Sequence, residues 1–265
     1  MVQIGIDLGG TKTELVALGS GGEVVYRSRR PTPSHSYEEI VQNIAKLVEE
    51  CEAQLGTGGT VGVGIPGTIS RQSGLVKNAN TTIMIGKPLP NDLAAVLKRE
   101  VRIANDANCF ALSEAKDGAG AGAQVVFGVI IGTGCGGGVV VGGQVLEGVN
   151  SIAGEWGHNR LPDASSEERP GATCYCGHQG CIETFISGPA MAADHLKVTG
   201  EKLSTHEIYQ RFKSGEAGSQ ATFMRYAKRA AKSLAGVINV LDPEVIVLGG
   251  GMSNMDELYE IIPTL

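Results

Sequence analysis

Short apolar runs separated by glycine turns mark the first thirty residues. Residues 2–8 form one run, Gly9-Gly10-Thr11 follows as a turn, and residues 13–18 form a second run. Another glycine turn at 19–22 precedes a third run at 23–29. Glycine tolerates the tight reversals that join antiparallel strands, so the pattern predicts an antiparallel meander of three strands.

The same arrangement recurs in the second half of the chain. An apolar run at 125–131 is followed by the turn Gly132-Thr133-Gly134, a returning run at 138–141, and Gly142-Gly143 before residues 144–146. One module used twice, each copy a strand, a Gly-Thr loop and a returning strand, is typical of a two-lobed nucleotide clamp. We therefore predict two lobes, 1–119 and 120–265, with the boundary near residues 118–123.

Helical periodicity lies between and after these repeats. Ser36 and Glu39 form a capping-box pattern ahead of one apolar helical face. That face contains Ile40, Ile44, Leu47, Val48, Cys51 and Leu55. Further helices are predicted from Asn91, from near Pro189, over 205–213 and over 219–240, with strands at 61–65, 101–104 and 245–248. Strands that alternate with helices predict an α/β fold.

Charge and composition narrow the class of protein. The formal net charge of −6 over 265 residues, without a local cluster of lysine or arginine, argues against nucleic acid as a partner. No apolar run reaches the roughly 20 residues of a membrane helix, and Asp7 interrupts the apolar start too early for a signal peptide. We expect a cytoplasmic protein, and free thiols among its six cysteines agree with a reducing compartment.

Three closely spaced cysteines suggest a metal site. Cys174, Cys176 and Cys181 follow His158 of the segment Gly-Glu-Trp-Gly-His. Three thiolates and one imidazole complete a tetrahedral shell for Zn²⁺, whereas two cysteines separated by one residue bridge each other poorly. A disulfide is the alternative, and His178 is a spare ligand.

Three glycine-rich turns are candidate phosphate loops. Asp7 ends the first strand before Gly9, Gly10, Thr11 and Lys12, and it would act through Mg²⁺. The alternative is an ordinary hairpin. The second loop, Gly132-Thr133-Gly134, begins a formal Gly-x-Gly-x-x-Gly match, but a strand rather than a helix follows, which excludes a dinucleotide fingerprint. Gly249-Gly250-Gly251 is the third turn, with a helix-start linker as its alternative.

Carboxylates and an amide complete the candidate chemistry. Asn105 and Asp106 follow a predicted strand, where a fixed carboxylate could accept a hydroxyl proton and an amide could bind a polyol. An N-cap role for Asp106 is the alternative. Glu155 and Glu183 flank the metal ligands and resemble a polyol-binding rim, with support of the metal site and helix capping as their alternatives.

Together these motifs resemble the ROK family of sugar kinases over nearly the whole chain. The resemblance implies a duplicated actin-like, hexokinase-like (ribonuclease H-like) two-lobed fold with a zinc-binding loop, ATP between the lobes and a homodimer. It implies Asp106 as the catalytic base. The implied sugar ligands are Asn105, Glu155, His158 and Glu183, with Gly67 and Asn80 as weaker candidates. The implied ATP and phosphate contacts are Asp7, Gly9, Gly10, Thr11, Lys12, Gly132, Thr133, Gly134, Gly249, Gly250 and Gly251.

The resemblance also suggests a substrate. Residues 76–82 and the two metal-binding segments are most similar to those of bacterial fructokinases, also called manno(fructo)kinases. This similarity implies phosphorylation of a hexose to its 6-phosphate, with D-fructose as the first candidate and mannose and glucose as further ones. N-acetylglucosamine kinases are the alternative, and a non-catalytic sugar sensor is the alternative of another class. Because the first phosphate strand begins at Val2, we expect no DNA-binding domain ahead of it. Family members usually continue for a few dozen residues beyond the third glycine turn, so we expect a C-terminal segment to be missing from this chain.

Overall fold

The first repeat forms a five-stranded sheet in the computed structural model, which describes residues 1–79 and 81–265. The strand order is β3-β2-β1-β4-β7, with β1, β2 and β3 antiparallel and β1, β4 and β7 parallel. Its strands are β1 (Val2–Leu8), β2 (Lys12–Leu18), β3 (Val24–Pro31), β4 (Gly59–Ile65) and β7 (Val101–Asn105). A ribbon of β5 (Thr68–Ile69) and β6 (Val76–Lys77) follows β4.

Three helices accompany this sheet, namely α1 (Tyr37–Leu55), α2 (Leu89–Leu97) and α3 (Asp106–Asp117). The apolar face predicted for α1 is buried except for the partly buried Leu55, and it packs in one cluster with the even-numbered residues of β1. Ser36 caps α1 by accepting a hydrogen bond from the amide of Glu39. Because one face of β1 fills this core, Asp7 lies on the opposite face.

The second repeat forms a four-stranded sheet in the order β10-β9-β8-β11. Its strands are β8 (Val125–Ile131), β9 (Cys135–Val141), β10 (Gln144–Val145) and β11 (Val245–Gly249), and β8 pairs antiparallel with β9 and parallel with β11. The remaining helices are α4 (Glu183–Ile186), α5 (Gly188–Thr199), α6 (Thr205–Lys213), α7 (Ala217–Leu241) and α8 (Glu257–Ile261). Mixed sheets joined by helices confirm the predicted α/β class.

The described chain divides into two units, each with its own contacts. The first unit is Met1–Cys109 with Glu147–Ile152, and the second is Phe110–Leu146 with Ala153–Leu265. The lobe boundary near residues 118–123 stays a prediction. No helix among residues 1–79 and 81–265 combines the length and apolar character needed to cross a bilayer.

Two elements begin earlier than the sequence pattern predicts. Helix α2 starts at Leu89 instead of Asn91, because Pro90 fits the first helical turn, where its missing N–H is not needed. Strand β9 starts at Cys135 instead of Gly138, because Cys135 pairs directly with Ile131. Three glycines at 136–138 therefore lie inside a strand, where a neighbouring segment uses the space that side chains would fill.

Candidate active site and metal centre

The first glycine loop presents unpaired backbone amides. Gly9 closes the turn by donating its amide to the carbonyl of Lys12 at 2.9 Å, and the Thr32 hydroxyl donates to the Gly9 carbonyl at 2.7 Å. The amides of Gly10 and Thr11 have no hydrogen bond with any described residue. Free amides on a turn fixed from both sides suit the oxygens of a phosphate.

The second glycine loop repeats this geometry in the second unit. Gly132 donates its amide to the carbonyl of Gly134 at 2.9 Å, and the amides of Thr133 and Gly134 have no acceptor among the described residues. The Glu183 carboxylate accepts the amide of Cys135 at 2.9 Å and holds the end of the loop. Both loops therefore close on their first glycine and expose the next two amides.

The third glycine turn is needed mainly for close packing. A Cβ at Gly249 would lie 2.5 Å from the Phe110 ring, and one at Gly250 would lie 2.5 Å from the Ile131 carbonyl oxygen. Gly250 also has a φ of +82°, which an L side chain rarely adopts. Gly251 begins a short 3₁₀ turn and lines a cavity.

That cavity has a volume of about 810 Å³ and belongs entirely to the second unit. Gly132 and Thr133 form one side, and the first turns of α5 and α6 form another. Helix N-termini carry partial positive charge, which favours an anionic ligand. The volume lies within the usual range for small-molecule sites. The α5 and α6 residues were not among the predicted site residues, although the Pro189 helix start and the Ser204/Glu207 capping box mark both helix starts in the sequence.

Tyr209 holds the wall of the 810 Å³ cavity together. Its hydroxyl donates to Glu257 at 2.5 Å and accepts the amide of Asp256 at 3.1 Å, which links α6 to α8. Tyr209→Phe should keep the stacking on Phe212 and lose both hydrogen bonds. On the ATP binding that the resemblance to sugar kinases implies, we expect an increase of about three- to tenfold in the KM for ATP with little change in kcat. Steady-state kinetics would measure this, with Tyr26→Phe in the first unit as control; an unchanged KM would contradict it.

Asn105 and Asp106 lie at the carboxyl end of the parallel strands. The Asn105 side chain accepts the amide of Asn108 at 3.1 Å and donates to the Gly67 carbonyl at 3.0 Å. Asn105, rather than Asp106, is therefore the residue that caps α3. Gly67 cannot carry a side chain, because its φ is +112° and a Cβ would lie 2.7 Å from the Lys77 carbonyl oxygen. Asn80 lies outside the described residues.

Asp7 and Asp106 approach one thiol. Desolvation raises the pKa of Cys109, and the charges of Asp106 and Asp7 raise it further. The two carboxylates thus face the same region at the ends of β1 and β7, on either side of β4. The pKa of Asp7 is itself raised, first by desolvation and then by Glu14, while Arg29 lowers it. A nearby cation such as Mg²⁺ would stabilise the ionised form of this carboxylate.

The four predicted metal ligands come together in the second unit. The ligand atoms of His158, Cys174, Cys176 and Cys181 all lie within 4.8 Å of one another. All six cysteines lie among the described residues and none of them forms a disulfide, so that alternative is wrong. The Nδ1 atom of His158 lies 3.5 Å from the Cys174 Sγ. This donor set and spacing fit a tetrahedral zinc ion.

The electrostatics of the cluster differ between its thiols. The His178 amide, followed by its imidazole and the other thiols, lowers the pKa of Cys176 to about 6 against the effect of desolvation. Burial raises the pKa of Cys181 to about 12. His178 contacts the Cys176 Sγ through Nδ1 at 3.6 Å.

His158 contacts Tyr175, and the charges of Glu155 and Glu183 act on the Tyr175 hydroxyl. Partial desolvation raises the pKa of Tyr175, which is 70% exposed, and the charges of Glu183 and Glu155 raise it further. The Tyr175 hydroxyl lies 3.0 Å from Nε2 of His158, the ring nitrogen that does not face the cysteines. Glu183 begins α4, and its Oε1 lies 3.8 Å from the Cys174 Sγ.

The segment that carries Glu155 and His158 packs on bare strand backbone. A Cβ at Gly154 would lie 2.3 Å from the Gly137 carbonyl oxygen, and one at Gly157 would lie 2.1 Å from the Cys135 carbonyl oxygen. A Cβ at Gly137 would in turn lie 2.9 Å from the Trp156 ring. Trp156 donates its indole N–H to the Gly136 carbonyl at 3.0 Å. The glycines inside β9 therefore make room for this segment.

Gly157→Ala should displace this segment, because the contact at 2.1 Å involves backbone that cannot rotate away. We expect a loss of about 1–3 kcal/mol in the free energy of unfolding and weaker metal retention at His158. Denaturant unfolding and metal analysis would test both. Gly62→Ala is the control, because a Cβ there meets nothing within 4 Å. Equal stability of the two variants would contradict the packing argument.

Comparisons with known proteins agree with this geometry. The ROK family model matches residues 3–265. N-acetyl-D-glucosamine kinase from Pectobacterium atrosepticum is 42% identical over 98% of this chain and 87% of its own length. N-acetyl-D-glucosamine kinase from Haemophilus influenzae is 40% identical with the same coverage. Both relatives are named as N-acetylglucosamine kinases, the predicted alternative, and not as fructokinases.

Solved structures show the same fold. A ROK hexokinase from Thermus thermophilus superimposes with a TM-score of 0.84 at 29% identity, covering 100% of this chain and 87% of its own. A ROK family glucokinase from Streptomyces griseus in complex with glucose and AMPPNP gives a TM-score of 0.81 at 28% identity, covering 100% and 88%. The predicted hexokinase-like fold is thereby confirmed.

Proposed function

Because this chain belongs to the ROK family, we propose that it transfers a phosphoryl group from ATP to the 6-hydroxyl of an N-acetylated hexosamine, with N-acetylglucosamine as the first candidate. The observation that carries the substrate is the name shared by relatives at 40–42% identity over 98% of the chain. These relatives favour the amino sugar over fructose.

The nucleotide side of the proposal rests on the glycine loops and the 810 Å³ cavity. The paired free amides of Thr133 and Gly134 adjoin that cavity, and those of Gly10 and Thr11 repeat the arrangement in the first unit. We assign the adenosine moiety to the cavity and phosphate oxygens to the amides. Mg²⁺ near Asp7 would neutralise phosphate charge, which is the usual need of phosphoryl transfer.

Asp106 is the proposed general base. Its side chain already accepts the amide of Ala107 at 2.8 Å, which fixes the carboxylate at the helix start. A fixed carboxylate can take the proton of a sugar hydroxyl as the phosphoryl group arrives. Asn105 next to it would bind a second hydroxyl, because its amide is held rigidly by Gly67 and Asn108.

In the second unit, Glu155, His158 and Glu183 are the proposed sugar ligands. The two carboxylates would accept hydrogen bonds from sugar hydroxyls. The Nε2 atom of His158 would exchange its contact with the Tyr175 hydroxyl for one with a sugar hydroxyl. Zinc would be structural, because four protein ligands leave no open position. It would order the loop that carries Glu183 and His158.

The test is a coupled ADP-release assay with Mg-ATP and four sugars: N-acetylglucosamine, fructose, mannose and glucose. The protein should be purified with its metal retained, and sugar-free ATP hydrolysis is the baseline. We expect the highest kcat/KM with N-acetylglucosamine. Higher turnover with fructose would return the substrate to the fructokinase hypothesis, and saturable sugar binding without turnover would identify a sugar sensor.

A further inference from the structure

The second unit contains another cavity, of about 560 Å³, that shares no lining residue with the 810 Å³ cavity proposed for the nucleotide. Two stretches of chain form it: residues 160–170, and residues 179–185 around the last metal ligand. Arg160 follows His158 by two residues, and its backbone bridges to Cys181. The amide of Leu161 donates to the Gly180 carbonyl at 2.9 Å. The metal-binding loop is therefore one wall of this cavity.

Two arginines at the cavity lack a counter-ion. Arg160 and Arg169 are both exposed, and neither guanidinium has a hydrogen bond or an ion pair with any described residue. Glu168 is the only carboxylate among the described lining residues, and it is already engaged. Its oxygens accept Nε of Arg229 at 2.7 Å, Nζ of Lys232 at 2.9 Å and the amide of Ser165 at 3.0 Å. No described residue therefore supplies a counter-ion to either guanidinium, and both are available to an anionic ligand.

The wall behind Glu168 adds to the positive charge. Arg229 also pairs with Asp194, which in turn pairs with Arg225. This network contains three cations and two carboxylates, namely Arg225, Arg229, Lys232, Glu168 and Asp194. Burial alone would raise the pKa of Glu168, but Arg229, Ser165 and Lys232 lower it to about 2. The lining and this network together carry five cationic groups and two carboxylates, whereas Asp163 and Glu167 of the same stretch are exposed and lie outside the lining.

The floor of the cavity is apolar. Leu161 and Phe185 are 5% and 8% exposed, and Ala164 and Pro170 complete the apolar lining. The Phe185 ring is held in place by the Arg229 guanidinium, which lies 5.3 Å from its centroid. Gln179 supplies an amide that can hydrogen-bond hydroxyl groups. The cavity therefore suits a ligand that contains both a ring and an anionic group. The apolar floor would contact the ring, the amide would bind hydroxyls, and the two guanidinium groups would bind the anion.

We propose that this cavity binds a sugar phosphate, with the phosphate held by Arg160 and Arg169 and the ring over Phe185. Guanidinium groups bind phosphate oxygens through paired charge-assisted hydrogen bonds. A product of the proposed reaction belongs to this ligand class, and only the choice of that sugar rests on the proposed function. The site would let the phosphorylated product contact the metal-binding loop from outside the nucleotide cavity.

The experiment is a calorimetric titration of the metal-retaining full chain with N-acetylglucosamine 6-phosphate. Saturating N-acetylglucosamine and a non-hydrolysable ATP analogue occupy the proposed active site. Wild type is compared with Arg160→Gln/Arg169→Gln and with the charge-matched control Arg71→Gln/Arg102→Gln, which changes exposed arginines of the first unit. Inorganic phosphate and glucose 6-phosphate are titrated in parallel.

We expect sugar-phosphate affinity to fall at least about tenfold in the Arg160/Arg169 double variant and to stay at the wild-type value in the control. Initial turnover before product accumulates should not change, because neither arginine has a role in the proposed chemistry. Equal affinity in all three proteins would overturn the site. Inorganic phosphate binding as tightly as the sugar phosphates would overturn sugar recognition. If the protein did not phosphorylate N-acetylglucosamine, the proposed function would fail. The glucose 6-phosphate titrations of the three proteins would still test the sugar-phosphate site, so the two failures are distinguishable.

Discussion

Asp106→Asn should lower kcat by at least about 100-fold while the dissociation constant for sugar changes little. The substitution keeps the size and shape of the side chain and removes its negative charge and its basicity. The helix should remain capped, because Asn105 and not Asp106 accepts the amide of Asn108. Coupled ADP-release kinetics and a sugar-binding titration would measure the two effects.

Asp117→Asn is the matched control for that experiment, since it removes the same charge at the other end of the same helix. It should keep wild-type turnover. A fall of less than about tenfold in Asp106→Asn would demote this residue from general base to a structural role at the helix start. Equal melting temperatures of the two variants would show that any loss of activity is chemical.

Cys181→Ser should abolish metal retention and, with it, sugar binding. Cys181 is fully buried, and its Sγ lies 3.6 Å from that of Cys176. Structural zinc contributes on the order of 10 kcal/mol to ordering its ligands, so its loss should release the loop that carries Glu183. We expect turnover to fall by at least about 100-fold and the melting temperature to drop. Metal content by mass spectrometry, sugar titration and thermal unfolding would follow these changes.

Cys109→Ser is the control, because the thiol of Cys109 lies outside the metal cluster. This variant should retain its metal. Treatment of the wild-type protein with a strong chelator should reproduce the Cys181→Ser result without a substitution. A metal-free chain that stays folded and binds sugar with wild-type affinity would show that the metal does not organise the sugar ligands.

Most of the elements could be predicted because their determinants are local. Alternation in β1, the face of α1 and the glycine turns depend on neighbours a few residues apart. The metal ligands were predictable because cysteine spacing restricts what three thiols can do. The capping of α3 was not, since the choice between Asn105 and Asp106 depends on the carbonyl of Gly67, 38 residues earlier.

The walls of the 810 Å³ cavity could likewise not be predicted from the sequence pattern. Helix starts at Gly188 and Ser204 are recognisable, but only packing brings both to Gly132. The contact between Tyr175 and His158 was missed for the same reason. The relatives favour the alternative substrate, N-acetylglucosamine, over the predicted fructose. Shared motifs carry the common chemistry, whereas one pocket contact of about 1–3 kcal/mol can separate related sugars.

The interlocked glycines of β9 and the Gly154–Gly157 segment also restrict how this chain can evolve. Because backbone meets backbone there, Gly137, Gly154 and Gly157 cannot change one at a time, and the chain carrying Glu155 and His158 cannot be shifted by small steps. Laboratory selection for a new sugar should therefore leave these three glycines untouched. Adaptive substitutions should instead accumulate in neighbouring segments whose side chains can be exchanged without moving the backbone.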